Sequence, residues 1–250
     1  MATLLLCLAG PMQSWGTRSR FGDRDTERFP SKSGVLGLAC AALGWPRDAA
    51  GHQGWTMAEL AGLAMAARAD QPGRLARDFQ TVQDVPAADG SRPGTALSTR
   101  HYLADATFLV GLSGDEGLLT AIEAALRRPV WPLFLGRKGY APSRPVVLPS
   151  RRAVGRSEWE PLPPALSDVP LAAAIRAYPW LPEALRLERR GRAPQPPESV
   201  WLEEEAADGL PRTDVPVGSF GRRRFVTRMV NHVKVALPAL EAAESEEVSA

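Results

Sequence analysis

Cysteine, histidine and tyrosine are scarce in this chain: two, three and three among 250 residues, with no apolar run approaching the length of a membrane span. Cys7 and Cys40 sit in apolar surroundings without a second Cys or His at ligand spacing. That excludes a zinc knuckle and a disulfide framework, and it fits small buried thiols in a reducing cytosol. Leu4 to Ala9 is too short to span a bilayer, is not preceded by basic residues and is not followed by a cleavage site, so a soluble, cytoplasmic protein with no membrane partner is expected. His52, His101 and His232 lie in three distant segments, and no cluster of Asp or Glu falls at the ends of the expected strands. Neither a metal site nor a cofactor is expected from such a set.

Acidic residues are missing where basic ones gather. Between Arg127 and Ser157 there are eight Arg or Lys and no Asp or Glu, and Phe220 to Lys234 holds five basic residues and again no acid. The overall charge is only +2, since Glu241 to Glu247 is acidic. A single block of this kind is commonly a solvated face, but segregated blocks are the electrostatic footprint of a nucleic-acid binder. At 27.0 kDa the chain holds one large domain or two small ones.

The N-terminal forty residues carry the densest local signals. Thr3 to Ala9 reads as a buried strand, closed by a turn at Gly10 and Pro11 because proline lacks an N–H and restricts its predecessor. A loop, Gln13-Ser14-Trp15, leads into a connector bearing Arg18, Arg20, Arg24 and Arg28. Pro30-Ser31-Lys32-Ser33 supplies caps and an early-helix proline for a small-residue helix, Ser33 to Leu43, ended by Gly44 and Pro46. Free backbone N–H groups and Lys32 at that helix start would face the loop and form a phosphate seat. It is no nucleotide-binding P-loop: Thr26 and Ser31 stand where that motif needs its two glycines before Lys32-Ser33.

Farther along, Met57 to Ala69 has apolar residues at helical spacing. Arg74 to Val85 and Arg100 to Leu112 alternate as strands around a polar stretch, Pro86 to Ser98, which predicts a long hairpin with a mobile tip. Gly117 to Arg128 is an amphipathic helix stopped by Pro129; Val130 to Leu135 reads as a short strand, and Gly136-Arg137-Lys138-Gly139 as a tight basic turn with Arg144 beyond it. The succession is β-α-β-β-α-β, an α+β ferredoxin-like or RRM-like domain over residues 1–150, with the 57–69 helix as an insertion. Residues 151–250 form a second part: a proline-rich stretch, irregular over 158–212 with a short piece at Val200 to Glu204 and disorder around Arg189 to Glu198, then a glycine-rich loop with Arg222, Arg223 and Arg224 and a strand from Val226 to Leu237. Its two glycines are expected to offer N–H groups to phosphate, a surface basic hairpin being the competing reading.

Several of these wordings together resemble the CasD family, the 5e-type subunit of the type I-E CRISPR surveillance complex Cascade. They are Gly10-Pro11-Met12-Gln13-Ser14-Trp15-Gly16, Arg24-x-Thr26, the run from Pro30 to Trp45, Asp78-Phe79-Gln80-Thr81-Val82 (usually with Tyr-His for Phe79-Gln80), Arg100 to Ala106, and Leu135 to Lys138. The likeness is strong over about residues 3–150, weak from Glu158 to Leu210, and returns at Arg222 to Val230. It implies a RAMP fold whose hairpin is a thumb reaching along the guide RNA to the neighbouring backbone subunit. It also implies a non-catalytic subunit that holds the 5′ handle of the crRNA, with the large subunit nearby and target DNA met only through the complex.

The residues expected to take the RNA are then Gln13, Ser14, Trp15, Arg18, Arg20, Arg24, Arg28, Ser31, Lys32 and Ser33, with Gln80, Thr81, Arg100, His101 and Tyr102 on the hairpin. Arg137, Lys138, Arg144 and Arg222 to Arg224 complete the set. Trp15 either stacks on a base or, the favoured reading, buttresses the loop from below; Tyr102 either stacks on a base or faces the core. The alternative function is a metal-independent repeat endonuclease, for which His101-Tyr102 beside Arg100 is the one pairing that could move protons. A purely architectural subunit is a third class.

Overall fold

In the computed structural model, residues 1–18, 22–86, 90, 94–153, 158–185 and 195–238 are described. In chain order the elements are β1 (Ala2–Gln13), β2 (Asp23–Arg24), α1 (Lys32–Leu43), β3 (Gly51–His52), β4 (Trp55–Thr56), α2 (Met57–Gly62), β5 (Ala64–Gln71), β6 (Arg74–Val85), β7 (Gly94–Gly114) and α3 (Glu116–Arg127). They continue with β8 (Arg151–Ala153), β9 (Trp159–Pro161), β10 (Leu166–Ser167), α4 (Leu171–Ala177), α5 (Leu181–Ala184), β11 (Ser199–Pro216) and β12 (Phe225–Ala236), with a 3-10 turn at Phe220–Arg222 between the last two.

One eight-stranded sheet organises both halves of the chain. Its order is β10-β1-β7-β5-β11-β12, and β2 and β6 pair with β7 as well. The central strand is β7: its C-terminal half lies between β1 and β5, while its N-terminal half pairs with β6 from Arg74↔Ala104 out to Val85↔Gly94. β5 and β6 therefore form one nearly continuous partner for β7, interrupted at Pro72-Gly73. Gly73 adopts φ 70°, and a Cβ there would stand 2.6 Å from the Ala104 carbonyl oxygen. Only glycine fits such a kink beside another backbone.

The helix start is built as the sequence requires. Ser31 has extended φ/ψ and its Oγ accepts from the Gly34 N–H at 3.2 Å; Gly44 closes α1 in the left-handed region at φ 69°. Small residues let α1 bury most of its circumference against the sheet and α3. Asp115 caps α3 by accepting from Leu118 N–H at 2.9 Å, and Leu118, Leu119, Ile122 and Leu126 form its buried face.

Three local expectations give way. β1 does not turn at Gly10-Pro11 but runs on to Gln13, pairing Met12↔Ala104 and Gln13↔Leu103. Pro11 is exposed there, past the reach of β10, so its missing N–H removes no ladder bond. The helix expected over Met57 to Ala69 ends at Gly62, and Ala64–Gln71 is an interior strand rather than part of an insertion. Val130 to Leu135 is not a strand: with Pro129 before it and Pro132 within it, the segment donates Val130 N–H and Trp131 N–H to the Ala42 and Ala41 carbonyls, closing the end of α1. The edge of β1 is covered instead by Val146, Val147 and β10.

The later chain is more ordered than its prolines suggest. Arg68 and Asp70, both fully buried, pair at 2.6 and 2.9 Å; Arg68 also donates to the Ile175, Tyr178 and Pro179 carbonyls, and Asp70 accepts from Leu181 N–H at 2.7 Å. That pair docks α4 and α5 on the sheet face opposite α1. β11, expected as a five-residue piece, spans Ser199–Pro216 and joins the sheet through Trp201↔Ala69. The expected disorder around Arg189 to Glu198 falls mostly outside the described residues. Among the described residues no helix is long and apolar enough to cross a membrane.

Candidate nucleic-acid interface

The Gln13-Ser14-Trp15 loop is internal scaffold. Gln13 is fully buried; its Nε2 donates to the Leu8 and Ala106 carbonyls at 2.9 and 2.8 Å, and its Oε1 accepts from the Trp15 indole at 3.2 Å. Ser14 Oγ donates to the Asp25 and His101 carbonyls. Trp15 is 1% exposed and lies flat against Gly34, where a Cβ would stand 2.8 Å from the ring. Burying an indole so fully contributes several kcal/mol, roughly 4–6 by area, and it props the loop from below.

The expected phosphate seat at α1 is already filled. Lys32 N–H donates to Asp214 Oδ2 at 2.8 Å, and the Lys32 ammonium, 4% exposed, pairs with Glu205 at 2.9 Å. Asp214 is held in turn by Arg228 at 2.7 Å and Arg212 at 3.1 Å, while Glu203 binds Arg212, Arg228 and His232. Three cations, Lys32, Arg212 and Arg228, balance three carboxylates, Glu203, Glu205 and Asp214. The helix dipole thus meets an anion supplied by the chain itself, leaving Ser31 buried as the cap and Ser33 half-buried beside it, 3.5 Å from Ser31 Oγ.

Open basic groups lie on the segment that follows the loop. Arg18, Arg24 and Arg28 are exposed; Arg20 lies outside the described residues. Two backbone anchors fix this segment. The Thr17 and Arg18 N–H groups donate to Asp25 Oδ2, and β2 runs parallel to β7 with Arg24 beside Arg100. The Gly136 turn is the third anchor. Gly136 adopts φ 93°, and a Cβ there would overlap the Ser14 carbonyl oxygen at 1.7 Å. Arg137, expected to hold phosphate, donates instead to the Arg24 and Asp25 carbonyls at 3.1 and 3.2 Å and to Tyr140 Oη at 3.2 Å. It is a strut; Lys138 and Arg144 are the exposed cations of that loop.

On the hairpin, Arg100 Nε donates to Ser98 Oγ at 3.3 Å, Gln80 donates to Asp78 at 2.6 Å, and Thr81 is exposed. His101 Nε2 lies 3.6 Å from Asp23, and Tyr102 packs toward the core with its ring 6.0 Å from Tyr140. Arg74 and Arg77 are exposed near the hairpin base, and Arg92 is outside the described residues.

Arg222, Arg223 and Arg224 are exposed, on a loop tied to the residues that follow the C-terminal end of α1. Gly221 N–H, expected to face phosphate, donates to the Arg47 carbonyl at 2.9 Å, and a Cβ on Gly221 would overlap Asp48. The glycine therefore fastens the loop beyond α1, and the structure does not bring these arginines to the Arg24 segment.

A groove of about 800 Å³, not foreseen from the sequence, opens between the arginine segment, the base of the hairpin and the β11–β12 pair. Phe29, Leu75, Leu103, Trp201 and Leu210 line it together with Arg18, Arg28, Arg212 and His232. Apolar lining residues from four distant segments carry no shared sequence signal. Among the described residues no group of His, Cys, Asp or Glu could hold a metal ion. Both cysteines are buried, and burial pushes each thiol up to about 12.

The family described as CRISPR-associated protein (Cas_Cas5) matches residues 3–232. The chain belongs to the Cas5 family. The Cas5 match includes Glu158 to Leu210, where the likeness in wording is weak. Among curated relatives, CRISPR system Cascade subunit CasD of Escherichia coli (strain K12) is 34% identical over 158 residues, 58% of this chain and 69% of the relative. A structure titled "Crystal structure of Cas protein" matches with TM-score 0.69 and 38% identity, covering 94% of this chain and 95% of that one. A chain from a "CRISPR RNA-guided surveillance complex" matches with TM-score 0.68 and 32% identity, covering 95% and 91%.

Proposed function

We propose that this chain is the crRNA-binding Cas5 subunit of a type I-E Cascade complex, working in the cytoplasm, holding the 5′ handle of the guide without cutting it. The relatives supply the class: one is a Cascade subunit and another belongs to an RNA-guided surveillance complex. The observation that carries the local reading is the clamped arginine segment. Arg18, Arg24 and Arg28 are displayed at the hairpin base by Asp25, β2 and the Arg137 strut, with Lys138 next to that strut. Cations on a fixed backbone, spaced along one track, suit successive phosphates of a single strand.

In this reading β10-β1-β7-β5 with α1 and α3 is the ferredoxin-like unit, β10 filling the fourth-strand place. The β6–β7 hairpin is the thumb, with exposed Phe79, Val82 and Leu97 offered to the backbone subunit. With β10 at Leu166–Ser167 in that unit, the division expected near residue 150 moves past β10, before the part carrying β11 and β12. Against a cleavage pair, His101 Nε2 lies 3.6 Å from Asp23 and the Tyr102 ring packs toward the core.

The test is charge reversal in the assembled complex. Arg24→Glu with Lys138→Glu should weaken guide binding and lower the salt slope by about 0.7 per lost phosphate contact. Lys32→Glu should instead damage the fold. Guide binding indifferent to Arg24 and Lys138 would leave an architectural subunit, and cleavage of repeat RNA in EDTA that His101→Ala abolishes would make it the endonuclease.

A further inference from the structure

The groove between the two hairpins has walls of unequal chemistry. Trp201, 47% exposed, stands on β11 between Ala69 of β5 and Lys234 of β12, whose ammonium lies 5.4 Å from the ring centroid. The cation and the neighbouring strands hold the indole in place. Leu75 on the β6–β7 hairpin and Leu210, farther along β11, are 60% and 65% exposed, and they line the same groove with Phe29. An apolar slot this open is unusual in a chain whose core is otherwise sealed.

Its rim is positive. Arg18 and Arg28 have no side-chain partner among the described residues, whereas both lining carboxylates are engaged: Glu203 by Arg212, Arg228 and His232, Glu27 by the Thr17 hydroxyl at 2.8 Å. A flat apolar slot edged by free cations matches a ligand that is flat and apolar in one part and anionic in another. An apolar peptide satisfies the slot but not the rim.

Resting on the RNA-binding reading above, we propose that this groove is a nucleobase subsite: an unstacked base of the bound single strand lies on Trp201 while Arg18 and Arg28 take its flanking phosphates. Stacking on an aromatic side chain is sequence-tolerant and is worth roughly five- to 150-fold in affinity per base. Neither Trp201 nor Leu210 belongs to the basic blocks, so the subsite extends the RNA track beyond the residues that charge alone identifies.

The experiment uses the full chain in the assembled ribonucleoprotein, with guide RNA carrying 2-aminopurine at one position of its unpaired 5′ segment at a time. Fluorescence should be quenched at one or two adjacent positions. Trp201→Leu should relieve that quenching and weaken binding about tenfold, and Trp201→Phe should restore most of both. If Trp201→Leu leaves the quenching pattern and affinity unchanged, the subsite is wrong while RNA binding stands. If it leaves quenching intact but releases a protein subunit from the assembly, the groove is a protein dock and the proposal fails. Absence of guide binding by the parent would instead overturn the RNA-binding function itself.

Discussion

Replacing Asp214 by alanine separates two accounts of the α1 N-terminus. Asp214 accepts the Lys32 N–H and both Arg228 contacts and lies 3.1 Å from Arg212. Removing it leaves Lys32, Arg212 and Arg228 facing only Glu203 and Glu205, one uncompensated buried positive charge. Breaking a buried pair from one side costs about 3–5 kcal/mol, which for a chain this long lowers Tm by roughly 6–20 °C. Urea unfolding followed by tryptophan fluorescence reads the change directly. The Asp214→Ala, Arg228→Met double variant restores the balance of charge and should recover part of the loss, a coupling that independent sites would lack. If α1 were instead an open phosphate seat, Asp214→Ala would cost less than about 0.5 kcal/mol and would tighten RNA binding. That pair of results would refute the reasoning.

The two glycines of the basic turn should behave differently. Gly136→Ala forces a left-handed alanine into the Ser14 carbonyl and should destabilise by at least the roughly 1–2 kcal/mol of the backbone conformation, loosening the Arg137 strut. Gly139→Ala meets nothing within 4 Å and should be silent; equal effects in thermal melts would contradict the geometry. The thiols give a pH prediction. Both fold with values raised from 9.0 to about 12 by burial, so the native state keeps protons that the unfolded chain releases. Stability is then unaffected by them below pH 9 and falls as pH rises through the window to 12, and Cys7→Ala with Cys40→Ala should flatten that limb. Rapid native-state alkylation at pH 8 would count against it.

The β6–β7 hairpin and the helix caps were legible because their signals are local: alternation over Arg74 to Val85, and a hydroxyl three residues before the N–H it accepts from. Ala64 to Ala69 was misread because alanine favours helix in isolation, while burial on both faces beside β7 selects strand. Lys32 looked like a phosphate ligand because its true partners lie 173 and 182 residues away. No window of sequence contains that contact. The C-terminal half hid for a related reason: Glu203, Asp214 and Arg228 are buried together beside part-buried Arg212, and no local pattern pairs them. The arginine segment was seen as basic, but that Arg137 serves it as a strut depends on a fold-level meeting with Arg24.

β7 spans 21 residues and is shared by the core and the β6–β7 hairpin. At about 3.3 Å per residue its contour is roughly 70 Å, and it passes from the part that pairs with β1 to the part that leaves with β6 through Asp105, whose φ is 55°. It therefore works as a gauge. The contour between the core and the hairpin's far end is counted in residues, and it can change only in steps. Inserting two residues into both thumb strands would lengthen the reach by one pleat and keep every side chain on its face; inserting one would turn the outer apolar stripe to the opposite side.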